Sequence, residues 1–194
     1  MIRIGITGGI GSGKSVVSNL LSMENIPVYR ADDESKRLTD TSPVIRKKLT
    51  TLLDDTIFID GKLDRQGLAS LIFSNEALLK KVNGIIHPEV RDDFRLWAAK
   101  QHANYCALES AILFESKFEK EVDVVLVVYA PVELRLKRIM LRDGTSEANI
   151  LKRMRCQLSD DFKREKAEFV IINDDIQPVI PQVERFIKFL ENYL

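Results

Sequence analysis

Short apolar runs alternate along the chain with stretches whose apolar residues recur at helical spacing. Five of these runs predict strands, at Ile2–Thr7, Ile26–Tyr29, Tyr105–Leu108, Val122–Tyr129 and Phe169–Ile172. The two longest runs are almost continuously apolar, which is typical of parallel strands that are covered on both faces. Helical patterns fall between or after the runs, at residues 16–21, 132–141, 146–158 and 178–194. This order of elements predicts a three-layer α/β fold with a central five-stranded parallel sheet.

One interval, about residues 32–104, departs from this alternation because it holds helical patterns and no convincing strand. The patterns cover Pro43–Leu53, Arg65–Phe73 and Asn75–Lys100, with a turn at Asp60-Gly61. A crossover between two parallel strands needs far fewer residues, so the interval predicts an inserted helical subdomain. A shorter excursion, about residues 143–158, predicts a mobile lid. We therefore expect one domain, 1–194, with a core of about residues 1–31, 105–142 and 159–194.

The loop between the first strand and the first helix matches the phosphate-binding pattern G-x-x-x-x-G-K-[ST]. Its residues, with the one that follows, are Gly8, Gly9, Ile10, Gly11, Ser12, Gly13, Lys14, Ser15 and Val16. Glycines allow successive N–H groups to turn toward a polyphosphate at a helix N-terminus. Lys14 would reach the β and γ phosphates, and the Ser15 hydroxyl would ligate Mg²⁺. The alternative is a turn that binds nothing, but the flanking strand and helix favour a nucleoside triphosphate with magnesium.

Composition narrows the class of protein without identifying it. Lys plus Arg and Asp plus Glu balance at 29 each, which argues against nucleic acid or an anionic membrane as the main partner. The two cysteines, Cys106 and Cys156, are far apart and fit reduced thiols better than a disulfide or a metal site. No apolar run approaches the ~20 residues that span a bilayer. We expect a cytoplasmic protein and, because no long apolar face is left over, a monomer.

Acidic side chains stand at the carboxyl ends of two predicted strands, where ligands bind in parallel sheets. Asp32 follows the second strand and could orient an attacking hydroxyl, although an Asp there could equally cap the next helix. Glu109 ends the third strand and could hold Mg²⁺ through water or support Ser15. Glu115 lies in the apolar cluster after that strand, where it either binds a ligand or marks the loop's return to solvent.

Three arginines, Arg135, Arg138 and Arg142, recur along one side of the helix that leads to the predicted lid, and Arg153 follows in the next helix. Such a stripe is commonly a solvated charged face. Beside a phosphate-binding loop the balance shifts for Arg142, because a transferring phosphoryl group needs planar, permanently charged donors. Arg142 is therefore the arginine that we expect to act on the phosphates.

Several further segments recur together and are more specific than the loop. They are ITGGIGSGKS at 6–15, VYRAD at 28–32, DGKLDR at 60–65, IHPEV at 86–90, LFE at 113–115, the arginine spacing of 138–142, Arg153 with Gln157, and VIIN at 170–173. With these segments the chain resembles the dephospho-coenzyme A kinases over nearly its full length. The resemblance implies a P-loop kinase fold in which the inserted helices form the coenzyme A subdomain.

The resemblance also implies a reaction and the residues that carry it. ATP would donate its γ phosphate to the ribose 3′-hydroxyl of dephospho-coenzyme A, with Asp32 as the general base. Gly11 to Val16 would hold the ATP phosphates, with Arg138 among the ATP-binding residues, and Arg142 would act from the lid. Asn173 would lie against the adenine. These two substrates and Mg²⁺ are the small molecules that the resemblance implies.

On the acceptor side, the resemblance places His87 in the helical subdomain facing the coenzyme A moiety. Without it, a histidine before Pro88 would be interpreted as a helix-end or core residue. The segment of Leu113, Phe114 and Glu115 would also contact this substrate.

The chain departs from the family pattern at three places. It has Arg30 where the family has an Asp before Ala-Asp, and Glu109 and Ala111 where Asp and Pro are common. A kinase of a nucleoside monophosphate or of shikimate would use the same loop and lid, but the HP and LFE segments argue against one. A nucleotide-dependent switch protein is disfavoured because the chain has no Asn-Lys-x-Asp signature.

Overall fold

The computed structural model of the chain describes residues 1–73 and 75–193. Its strands are, in chain order, β1 (Ile2–Thr7), β2 (Val28–Arg30), β3 (Phe58–Ile59), β4 (Lys62–Leu63), β5 (Tyr105–Glu109), β6 (Val124–Tyr129) and β7 (Phe169–Ile172). Its helices are α1 (Lys14–Met23), α2 (Ala31–Thr41), α3 (Pro43–Leu53), α4 (Arg65–Phe73), α5 (Glu76–Ala99), α6 (Val132–Asp143), α7 (Glu147–Arg155), α8 (Asp160–Glu165) and α9 (Val179–Glu191).

Five strands form a central parallel sheet in the order β2-β5-β1-β6-β7, which confirms the fold class that the sequence predicted. β1 is the middle strand, with Ile4 opposite Ala107 on one side and Val124 on the other. The second strand begins at Val28 rather than at Ile26, because the Ile26 N–H is used to close the turn after α1 by donating to the Leu21 carbonyl at 3.1 Å. Because all five strands are parallel and the glycine loop follows β1, the loop lies at the carboxyl end of the sheet.

The core lies between the sheet and two helices, α1 and α9. Apolar residues three or four positions apart give each helix one buried face: Val17 and Leu21 in α1, and Phe186 and Leu190 in α9. They pack against strand residues such as Ile4 that have no exposed surface. The apolar residues whose spacing predicted these helices are thus the residues that the helices bury in the core. On the opposite face of the sheet α8 packs against β6.

The chain divides into two compact units, one made of residues 1–30 and the chain from Gln101 onward, the other of Ala31–Lys100. In the second unit α2, α3 and α4 each pack against α5, a helix of 24 residues that contains Pro88. The Asn75 side chain caps α5 by accepting from the Leu78 N–H at 2.9 Å. None of the described helices is long and apolar enough to cross a membrane.

Two local predictions were wrong. The interval with no expected strand contains the short antiparallel pair β3–β4, joined by Asp60 and Gly61 with φ of 50° and 78°. Positive φ at both positions is what a two-residue hairpin turn requires, so the Asp-Gly pair was a hairpin signal and not only a turn. The helix expected over 146–158 ends at Arg155, and α8 begins after Ser159, whose hydroxyl accepts from the Phe162 N–H at 3.2 Å.

Candidate functional site

The glycine loop runs from the carboxyl end of the central strand β1 to the first residue of α1, Lys14. Gly13 caps the helix with φ of 91°, in the left-handed region. A Cβ atom there would lie 2.1 Å from Nδ2 of Asn173, which donates to the Ser12 carbonyl at 2.8 Å. Glycine is therefore required at this position both by the backbone conformation and by the approach of Asn173.

Gly9 lies against a buried ion pair. A Cβ atom there would lie 1.6 Å from Nη1 of Arg135, whose Nη2 donates to Oδ2 of Asp160 at 2.5 Å. The Arg135 side chain is only 5 % exposed. The first arginine of the predicted stripe thus supports the loop instead of lining a solvated face.

The Lys14 ammonium bridges the backbone of its own loop. Nζ donates to the Gly8 carbonyl at 3.0 Å and to the Gly9 carbonyl at 3.3 Å. The charge is therefore held at the loop itself, at the end of the sheet where parallel α/β proteins bind their ligands. That Lys14 reaches the β and γ phosphates of a nucleotide stays a prediction.

Ser15, Glu109 and Arg30 form a polar cluster next to the loop. The Ser15 hydroxyl donates to Oε1 of Glu109 at 3.1 Å, while Oε2 is buried and accepts no hydrogen bond. Arg30, paired with Glu109 in the β2–β5 register, brings Nε to 3.6 Å from Oε2 and donates from Nη2 to Asn19 at 2.6 Å. Two of the departures from the family pattern, Arg30 and Glu109, therefore face each other.

The same cluster suits a hard cation. A hydroxyl and a carboxylate whose second oxygen accepts no hydrogen bond are the kind of ligands that Mg²⁺ takes alongside phosphate and water. No group of three or more His, Cys, Asp or Glu suited to a metal occurs in the described part of the chain. The residues thus fit a magnesium ion that arrives with a phosphate ligand better than one caged by protein alone.

Asn173 and Arg138 lie beside the loop. Asn173 follows β7 directly, and its N–H continues the sheet by donating to the Tyr129 carbonyl at 2.8 Å. Arg138 donates from Nη2 to the Asn173 carbonyl at 3.1 Å and forms an ion pair with Asp175. The structure therefore brings both predicted nucleotide-binding residues together, through bonds between α6 and the end of β7.

Arg142 lies one helical turn beyond Arg138, with a side chain that is 62 % exposed. It donates to both carboxylate oxygens of Asp143, from Nε at 2.7 Å and from Nη2 at 3.2 Å, and Arg153 reaches the same carboxylate at 3.1 Å. The hydrogen bonds from Arg142 lower the pKa of Asp143 to about 2, and the bond to Asp143 raises the pKa of Arg142. In this structure Arg142 is held by an aspartate.

The segment of Leu113, Phe114 and Glu115 follows β5. Leu113 has no exposed surface, so its side chain cannot make the predicted contact with substrate in this structure. Phe114 packs edge to face on Phe162, with ring centroids 5.7 Å apart. Glu115 accepts from the Leu158 N–H at 2.7 Å. These contacts of Glu115 are with protein groups, and its role toward a ligand stays a prediction.

Asp32 and His87 belong to the second compact unit. Asp32 is exposed in the first turn of α2, two residues after the end of β2, and the neighbouring Asp33 and Glu34 share that turn. His87 is half-buried in the middle of α5, directly before Pro88. Burial, and secondarily the charge of Arg91, lowers the pKa of His87, so its imidazole is neutral at pH 7.

Sequence reasoning missed Arg135, Asp160 and Lys163 as supports of the site. Lys163 has a fully buried side chain that donates to the Ala111 carbonyl at 2.9 Å and pairs with Glu115 at 3.1 Å. In the sequence it is one cation in a charged helix, and nothing marks it as buried. The sequence offered one pointer to this region: Gln157, near Lys163 in the chain, was among the residues that carry the family resemblance, but no role was assigned to it.

A parallel sheet with a glycine loop running from its central strand into a helix, and with a lysine and a serine at that helix's start, defines a P-loop protein, the class to which the P-loop kinases belong. The model of the dephospho-CoA kinase family matches residues 2–178. The chain belongs to the dephospho-CoA kinase family, whose members are phosphotransferases. The alternative classes considered from the sequence, a kinase of another small acceptor and a switch protein, are not supported by this membership.

Individual relatives agree with the family. The dephospho-CoA kinase of Bacteroides fragilis is 50% identical over 190 residues, 97% of this chain and 93% of that protein. The enzyme of Porphyromonas gingivalis is 46% identical over 97% of this chain and 94% of its own length. Among solved structures, the Thermus thermophilus protein TT1252 is similar, with a TM-score of 0.85, 35% identity, and coverage of 100% of this chain and 97% of that one.

Proposed function

We propose that this protein transfers the γ phosphoryl group of ATP to the ribose 3′-hydroxyl of dephospho-coenzyme A, giving coenzyme A and ADP. Family membership supports the reaction, and a kinase implies ATP as the donor. The observation that carries the proposal at the level of residues is the juxtaposition of Lys14 with the loop carbonyls and of Ser15 with Glu109. These groups lie together at the start of α1, where a polyphosphate binds most favourably.

On the donor side, the backbone of Gly8–Val16 would hold the ATP phosphates, and Lys14 would neutralise charge on the β and γ groups. Ser15 would hold Mg²⁺, with Glu109 supporting Ser15 or holding the ion through water, and the bound ion would supply further charge neutralisation at the phosphates. Asn173 and Arg138, which are bonded to each other, would contact the adenosine half of ATP. Arg142 would exchange Asp143 for the transferring phosphoryl group.

On the acceptor side, Asp32 would orient the ribose hydroxyl and accept its proton. His87, neutral at pH 7, would contact the coenzyme A moiety as a hydrogen-bonding group and not as a cation. Phe114 and Glu115 would also contact the coenzyme A moiety, with Leu113 beneath them as packing. The monomeric state and the cytoplasmic location stay predictions.

The test of the acceptor is ADP release by the purified protein with Mg·ATP, in the presence of dephospho-coenzyme A, AMP, CMP or shikimate. We expect only dephospho-coenzyme A to stimulate release, with a new 3′-phosphate on the product. Stimulation by a different acceptor in that set, and not by dephospho-coenzyme A, would contradict the proposal.

The test of the base is Asp32→Asn, which should lower kcat by ~10² to 10⁴ and leave ATP binding nearly intact. Asp33→Asn is a matched control, because Asp33 is the adjacent exposed carboxylate and pairs with Lys36 of the same helix, at 3.1 Å. We expect it to keep normal turnover. Equal losses in the two variants would remove Asp32 from the role of base.

A further inference from the structure

Gln157 connects the glycine loop to a different part of the molecule. Its Oε1 accepts from the Ile10 N–H at 2.9 Å, across 147 residues of sequence. Its Nε2 donates to the Ala111 carbonyl, in the segment after β5, at 3.1 Å. Both polar atoms of one side chain are thus used on backbone groups of two separate loops, and the amide cannot move without breaking at least one of these bonds.

The segment that carries Gln157 is anchored independently. Lys163, with no exposed side-chain surface, donates to the same Ala111 carbonyl at 2.9 Å and pairs with Glu115 at 3.1 Å. Glu115 also accepts from the Leu158 N–H at 2.7 Å. The residue directly after Gln157 is therefore fixed to the segment after β5, which holds the amide in reach of Ile10.

We infer that Gln157 is a positioning residue for the phosphate loop, acting through the Ile10 N–H at its tip. It fixes the peptide of Ile10 from the end of the lid segment, where α7 stops, so that the loop already has its binding conformation before ATP arrives. The inference rests on the proposed function of the loop. Preorganisation of this kind raises ligand affinity because the ordering cost is met in the free protein.

The position of Gln157 also makes it a connection between lid and loop. α7 ends at Arg155, and the chain returns to the core through Gln157 and Leu158. Movement of α7 about this anchor leaves the loop in place as long as Gln157 holds Ile10. Loss of the side chain would release the tip of the loop while the Lys163 and Glu115 anchor remains.

The variant to make is Gln157→Met, which keeps the side-chain length and removes both hydrogen bonds. We expect the Kd of Mg·ATP by calorimetry, and the KM for ATP, to rise about tenfold, the effect of losing about 1.4 kcal/mol of binding. The KM for dephospho-coenzyme A should stay within about twofold. In the ATP-free protein, hydrogen exchange of the Ile10 amide should accelerate by a similar factor.

Two controls separate positioning from general stability. Gln66→Leu changes an exposed glutamine of α4 and should alter none of these quantities. Leu190→Val, in the core far along α9, should lower Tm without changing the Kd of ATP or the exchange of Ile10. A rise in the ATP Kd of Leu190→Val equal to that of Gln157→Met would overturn the inference.

Lys14→Ala separates this inference from the proposed function on which it rests. If Lys14→Ala loses ATP binding while Gln157→Met binds ATP as the unaltered protein does, the loop is the phosphate site and Gln157 does not position it. If Lys14→Ala binds ATP normally, the proposed function of the loop fails first. Should Gln157→Met not fold, Gln157→Ala takes its place, with the same expected rise in the ATP Kd; an unchanged Kd there would overturn the inference.

Discussion

The phosphate loop and the lid turn both depend on a glycine with positive φ, but their surroundings are opposite. At Gly13, with φ of 91°, an added Cβ would lie 2.1 Å from Asn173. At Gly144, which ends α6 with φ of 61°, an added Cβ would meet nothing within 4 Å. Both glycines therefore need a positive φ, but Gly13 is tightly packed whereas Gly144 has open space around it.

Their polar contacts differ in the same way. Around the loop, Arg135 and Gln157 are wholly or partly buried and bond to groups fixed by the sheet and its helices. In the lid, Arg142 and Arg153 are 62 % and 52 % exposed and share one aspartate. Exposed ion pairs are weak and exchange readily with another anion. Buried contacts thus hold the loop in one shape, whereas Arg142 and Arg153 are held by the carboxylate of Asp143, which we propose a phosphate replaces.

The largest effect should come from removing the charge in the loop. We expect Lys14→Ala to lower kcat/KM by ~10³ or more and to weaken ATP binding, because both loop carbonyls and the phosphates lose their cation. Lys137→Ala, on the exposed side of α6, is the control and should change neither. The readouts are ADP release and ATP calorimetry. Unchanged ATP affinity in Lys14→Ala would argue that the loop is not the phosphate site.

The comparison of the two glycines can be made directly. Gly13→Ala should destabilise the protein by ~1–3 kcal/mol through overpacking, beyond the conformational cost, and raise the KM for ATP about tenfold or more as Asn173 is displaced. Gly144→Ala should cost only the conformational part, about 1 kcal/mol, and leave the KM for ATP within about twofold. Denaturant unfolding and steady-state kinetics measure the two effects. Equal changes in both variants would show that packing does not distinguish the regions.

A smaller effect is expected in the lid. Asp143→Asn frees Arg142 and Arg153 from their shared anion, so the KM for ATP should fall about two- to fivefold at low salt and the difference should shrink as salt is added. If the aspartate does not compete with phosphate, the KM will stay the same or rise. Arg142→Lys should show the opposite direction, because lysine cannot make the paired bonds that the guanidinium makes.

The pH dependence of that lid effect follows from the pKa of Asp143, which Arg142 lowers to about 2. A depressed carboxyl pKa means that the ion pair is fully present above the ordinary value of about 3.9 and is lost only as the pH falls through about 2. Between pH 5 and 9 the ratio of KM values for the unaltered protein and Asp143→Asn should therefore be constant. A ratio that changes near pH 6 would point to a different titrating group.

The smallest perturbation uses the two thiols as reporters. Burial raises the pKa of Cys106, in the strand next to β1, to about 11, whereas Cys156, at the end of α7, is exposed. At pH 8 a thiol reagent should titrate one cysteine in the native protein and two in denaturant. Reaction of both in the native state would mean that the sheet opens as easily as the lid.

Much of the fold could be predicted from short-range pattern. The apolar run at Phe169–Ile172 and the helical spacing over Pro43–Leu53 match β7 and α3 at both ends, because burial on a sheet or a helix face repeats every two or every three to four residues. The break at Arg155 could not be predicted in this way. It depends on Cys156 ending one helix and Ser159 capping the next, and polar residues continue through both.

The candidate site divides in the same manner. The glycine loop, Lys14 and Ser15 were found from sequence because phosphate binding demands particular residue types at fixed spacing in one continuous segment. The surroundings of Arg135, Gln157 and Lys163 depend on partners more than 20 residues away, at Asp160, Ile10 and Ala111, and no local pattern records such distances. Arg142 was predicted to act on the phosphates from its type and its place beside the loop, and its present partner Asp143 is seen only in the structure.

The sequence by itself determined the fold class, the phosphate loop and the family, since each is carried by residues that are neighbours in the chain or by apolar periodicity. Only the tertiary structure decided which glycines have no room for a side chain, which arginine is buried behind the loop and which lysine is enclosed near Glu115. These depend on strand order and helix packing, which bring together residues from 8–13, 111–115 and 135–163. Long-range packing sets their burial, and burial determines whether a charge binds a ligand or supports the loop that does.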